Sequence, residues 1–155
     1  MSEAVLCAVP VRTVKLLGVP KSFAFIVTDR RTILVPITKE MLKQAVVEAR
    51  DEAADEGKGF LGKWGAQMKA SLGYTSRFLE MEPDDILRQY PEHSETPNDG
   101  FSKVRIRMRQ DTDRNMTLWY LVLHGPSGKV KYELQSRTND VVHALKQAYG
   151  KRFKA

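Results

Sequence analysis

One cysteine among 155 residues, Cys7, leaves no partner for an internal disulfide, and such usage suits a reducing compartment. Cys7 sits in a strand-like run and reads as a small buried hydrophobe rather than a reactive thiol. Long apolar runs are missing too, since none approaches the roughly 18 residues that a membrane-spanning helix needs. The opening Met1-Ser2-Glu3-Ala4-Val5 has neither the basic region nor the apolar stretch of a signal peptide. The expectation is a cytoplasmic protein, with peripheral attachment to a membrane as the variant.

Histidine is scarce: His93, His124 and His143 stand far apart with no ligand-spaced neighbour, so no metal is expected. Neither a Gly-x-Ser-x-Gly elbow nor a local Cys–His signature occurs. The run Gly57-Lys58-Gly59-Phe60-Leu61-Gly62-Lys63 lacks the Gly-Lys-Ser/Thr ending of a phosphate loop and follows an acidic helical stretch rather than a strand. Glu82, Asp84 and Asp85 lie where a helix N-terminus favours carboxylates. These absences point to a non-enzymatic protein without cofactors.

What the chain does have is charge in blocks. Within the net +6, residues 39–57 hold six acids against three bases, and residues 58–77 hold four bases and no acid. Residues 78–100 then sum to −6 and residues 101–155 to +8. Alternation of this kind opposes one basic stripe tracking nucleic acid, but it permits a local anion-binding patch.

Apolar patterning predicts an α+β protein of one domain. Strands are expected at about 4–12, 22–28 and 32–37. A helix over 39–56, capped by Thr38, follows from the spacing of Leu42, Val46, Ala49 and Ala53. Lys58 to Leu72 reads either as a helix stabilised by packing or as a loop ordered against something, because Gly62 and Gly65 each cost about 1 kcal/mol in a helix interior. A short strand at 74–81, a helix opened by Pro83 and a loop over 91–100 come next. Val104, Ile106 and Met108 alternate with Lys103, Arg105, Arg107 and Arg109, the mark of a strand with one face in a core. Leu118-Trp119-Tyr120-Leu121-Val122-Leu123 is apolar on both faces and reads as a central, doubly covered strand. Gly125-Pro126-Ser127-Gly128 turns it into an alternating strand ending at Leu134. Thr138 or Asn139 caps a last helix, with Val141, Val142, Leu145, Ala148 and Tyr149 inward and Gly150 ending it.

Phe23 to Pro36 places two β-branched segments around a Thr28-Asp29-Arg30-Arg31 corner. That corner resembles the Thr-Asn/Asp-Lys/Arg-Arg corner of bacterial and GRAM-type members of the pleckstrin-homology-like superfamily. The strand-hairpin-helix ending over Ser102 to Phe153 is similar to the second half of the same fold. The resemblance implies a strongly bent antiparallel half-barrel closed by its C-terminal helix. Residues 39–100 stand outside that pattern as a helical insertion with a connecting strand and loop.

Three groups are candidate sites. The first is the set of cations Lys15, Lys21, Arg30 and Arg31 near the first two turns. The resemblance implies a headgroup-gripping role for cations on the first hairpin, but Phe23 stands where the last Arg of that Lys-xₙ-Lys/Arg-x-Arg pattern belongs. The corner arginines also read as braces for neighbouring carbonyls or carboxylates. The second is the row Lys103, Arg105, Arg107 and Arg109, whose strand spacing makes a ridge able to hold phosphates or an acidic partner. Its plainer readings are a solvated or edge face, or pairing with acids of residues 48–56 or 78–85. The third is Lys58, Phe60, Leu61, Lys63, Trp64, Met68 and Lys69, a basic-aromatic set suited to an anionic membrane, to a dimer interface, or to covering the Leu118–Leu123 strand. The function expected is a binding module. A protein partner or second copy ranks ahead of anionic membrane, an uncharacterised enzyme with a pocket between the insertion and the sheet is the next alternative, and nucleic acid ranks last.

Overall fold

The structure, a computed structural model, describes residues 3–14, 21–38, 40–41, 75, 77–113, 115–134 and 137–155. Its strands are β1 (Val5–Thr13), β2 (Ser22–Thr28), β3 (Arg31–Ile37), β4 (Ser94–Pro97), β5 (Lys103–Asp111), β6 (Met116–Gly125), β7 (Gly128–Leu134) and β8 (Phe153–Lys154). Two helices are described, α1 (Pro83–Gln89) and α2 (Asn139–Tyr149). The fold is α+β, with one open eight-stranded sheet in the order β4-β3-β2-β1-β7-β6-β5-β8. Every neighbouring pair is antiparallel except β5 and β8. Consecutive strands pair from β1 to β4 and again from β5 to β7, and the β1–β7 contact at Val11–Thr13 joins the two meanders.

The apolar pattern explains two cores. Phe25, Val27, Val104, Ile106, Leu121, Leu123, Tyr132 and Leu134 face Val141, Val142, Leu145 and Tyr149 of α2. The intervening residues of β2, Ala24 and Ile26, face the other way with Ile33, Val35 and Ile37 against Phe78, Ile86 and Tyr90. Strand β2 is therefore covered on both sides, which is why Phe23 to Val27 is continuously apolar rather than alternating. Thr138 caps α2 by accepting from the Val141 amide at 3.2 Å. Gly150, at φ 61°, ends the helix in the left-handed region that glycine adopts without a Cβ clash.

Three expectations change. Residues 77–80 form a 3₁₀ turn rather than part of a strand, with Phe78 alone buried and Pro83 beginning a helix soon after. Part of the expected 91–100 loop is strand β4, paired with Arg31 to Leu34. Its Ser-Glu-Thr-Pro sequence carries no apolar alternation, and Pro97 is tolerated because the strand lies on a sheet edge. The short β8 beside Val104 and Arg105 is an addition. Thr38 accepts from the Met41 amide at 3.2 Å, as a helix cap would. The rest of the 39–56 helix and the whole of Lys58 to Leu72 lie outside the described residues.

Candidate functional site

The β5–β6–β7 meander turns Val104, Ile106, Leu121, Leu123, Tyr132 and Leu134 to the core with α2, and its cations lie on the opposite face. Val104 and Ile106 point into the core, so Lys103, Arg105, Arg107 and Arg109 share the outer face of β5. Register places His124, Val122, Tyr120 and Leu118 directly opposite them on β6. Lys129, Lys131 and Glu133 stand in the next column, opposite His124, Val122 and Tyr120. Beyond Glu133 lies Arg12 of β1, bonded to it through Nε and Nη2 at 3.0 and 2.9 Å. Hydrogen bonding to Glu133 holds the Arg12 guanidinium above its ordinary pKa, against a smaller opposing effect of burial.

Seven cations thus share one face with two acids: Glu133, which Arg12 already engages, and Asp111 at the far end of β5. Among the described residues no carboxylate pairs with Lys103, Arg105, Arg107, Arg109 or Lys129. Asp84 and Asp85, two acids considered as internal partners for the row, instead meet Arg31 and Arg88. The acids of residues 48–56 lie outside the described residues. Neighbouring charges about 7 Å apart repel by roughly 0.6 kcal/mol each in water-like surroundings, so the row costs a little stability that an anion would return.

The centre of the face is sealed. Tyr120 and Val122 are buried although they point away from α2, and Lys131 lays its Nζ 4.2 Å from the Tyr120 ring centroid. Arg105 Nε is buried with no hydrogen-bond partner. His124 sits between Lys103 and Lys129, and its pKa is lowered, first by desolvation and then by Lys103, Lys129, Arg105 and Arg107. Lys129, Lys131 and His124 were absent from the sequence-derived row. Their alternation within the hairpin was visible, but which column they join follows only from the Gly125–Gly128 turn register.

Among the described first-hairpin cations, Arg30 and Arg31 sit at the β2–β3 corner rather than in this row. Lys21 is exposed, and its main chain exchanges bonds with Thr13. Lys15 lies outside the described residues, as do Lys58, Phe60, Leu61, Lys63, Trp64, Met68 and Lys69. At the corner, the Thr28 hydroxyl oxygen accepts from the amides of Arg30 at 3.1 Å and Arg31 at 2.9 Å. The same hydroxyl meets the Glu3 carboxylate. Arg31 is bound by Glu3, Glu95 and Asp84 at 2.9, 2.8 and 2.9 Å. Burial works to lower its pKa, but the three carboxylates outweigh that and raise it. Arg30 and Arg31 thus border an open depression of about 600 Å³ in which Glu3, Asp84 and Glu95 outnumber them. Arg31 acts there as a brace.

Cys7 is buried, and desolvation pushes its thiol up to about 12, so it stays protonated and unreactive at neutral pH. Among the described residues no group of His, Cys, Asp and Glu could hold a metal ion, and no helix is long and apolar enough to cross a membrane. Set against protein-family models, curated proteins and solved structures, the chain matches none.

Proposed function

We propose that the chain is a non-catalytic, pleckstrin-homology-like module that binds another protein through the outer face of β5, β6 and β7, in the cytoplasm. Two meanders joined through β1 and β7, with a C-terminal helix packed on the shared core, support the architectural part of this reading. The binding part is carried by one observation, the six cations of β5 and β7 left without carboxylate partners among the described residues. A face of one sign steers an oppositely charged partner and fixes its register more than it adds raw affinity.

Immobilised poly-L-glutamate is a direct probe of this reading. The protein should be retained at low salt and released as ionic strength shortens the Debye length. Arg105→Glu combined with Arg107→Glu should weaken retention at least tenfold while leaving the circular dichroism spectrum unchanged. Retention that ignores the double charge reversal would place binding elsewhere and sink the proposal.

A further inference from the structure

We infer that the partner segment is an extended acidic strand with a carboxylate at every second residue, seated along β5; this rests on reading the face as a protein-binding surface. Arg105, Arg107 and Arg109 share one side of β5, and alternate strand residues repeat every 6.5–7 Å. An extended peptide has the same repeat. Acids at i, i+2 and i+4 therefore meet three successive guanidiniums without drifting out of register, and each pair can close with two parallel hydrogen bonds. A run of adjacent acids would turn half of its carboxylates away from the ridge.

The same face is poorly built for other polyanions. Tyr120 is buried beneath Lys131, so it offers no open ring on which a nucleic-acid base could stack. Tyr120 and Val122, the central apolar side chains, are both buried, which leaves no apolar wedge there to enter a bilayer.

The test uses the full chain and two synthetic peptides of identical composition, one alternating Glu with Thr and one with the Glu residues grouped. DNA duplex and phosphatidylserine vesicles serve as competing anions. The alternating peptide should bind at least tenfold tighter than the grouped one, and Arg107→Gln should remove most of that preference. Equal binding of the two peptides, or a preference that survives Arg107→Gln, overturns the inference while leaving a protein-binding face. Capture of duplex or vesicles with neither peptide bound, or no binding to any of the four, overturns both readings.

Discussion

Asn98 joins three parts of the fold with one side chain. Its amide nitrogen donates to the Thr28 carbonyl at 2.8 Å, and its carbonyl oxygen accepts from the Thr32 hydroxyl at 2.8 Å. With its proton given to Asn98, Thr32 must accept from the Tyr149 hydroxyl 2.6 Å away, so the donor order runs Tyr149, Thr32, Asn98. Desolvation raises the Tyr149 pKa, with the bond to Thr32 opposing, so the phenol remains a donor at neutral pH. The order predicts unequal costs. Asn98→Ala strands the buried Thr32 hydroxyl and Thr28 carbonyl together and should cost about 3 kcal/mol, while Tyr149→Phe removes only a donor to an already engaged hydroxyl and should cost about 1 kcal/mol. Urea unfolding of the two variants checks the ratio, and equal losses would refute the donor order. None of this was legible in the sequence, because the two Thr32 bonds span 66 and 117 residues and a lone Thr or Asn announces no partner.

Among the elements, strands with alternating or continuous apolar runs were readable. β2 and β3 fall where alternating or β-branched runs place them, and α2 follows its cap and apolar stripe. The ridge on β5 was readable for the same reason. β4 was not, because its order comes from pairing with β3 rather than from its own polar residues. Arg31 ties that edge strand to its neighbours, since it reaches Glu95 on β4, Asp84 at the start of α1 and Glu3 ahead of β1. The three ties should differ in worth. Asp84 is 83% exposed and Glu3 only 13%, so water screens the first pair and hardly reaches the second. Asp84→Asn should therefore change stability by less than about 0.5 kcal/mol. Arg31→Met strands the half-buried Glu3 carboxylate beside Thr28 and should cost about 3 kcal/mol. Thermal unfolding of both variants at low salt measures the difference, and a small effect of Arg31→Met would show that Glu3 rehydrates freely.

At the scale of the molecule, the two faces of the β5–β7 meander divide the work: apolar residues build the core with α2, and cations build a field that faces outward. His124 reads that field from within. Desolvation lowers its pKa first, and Lys103 and Lys129 on the flanking strands, with Arg105 and Arg107, lower it further. These contributions respond differently to salt, because ionic screening weakens the cation field and leaves desolvation untouched. The His124 pKa should thus lie below the ordinary value near 6.5 at low ionic strength and climb part of the way back as salt is added. Arg105→Gln with Arg107→Gln should raise it at low salt, as should any anionic partner seated on the face. The consequence for stability has a definite sign. Because the folded pKa is the lower one, the unfolded chain takes up the proton first as pH falls through about 6.5, and stability declines from there downward. NMR titration of the His124 ring across a salt series measures all of this, and a depressed pKa that does not move with salt would assign the shift to desolvation alone and remove His124 as a reporter of the cationic face.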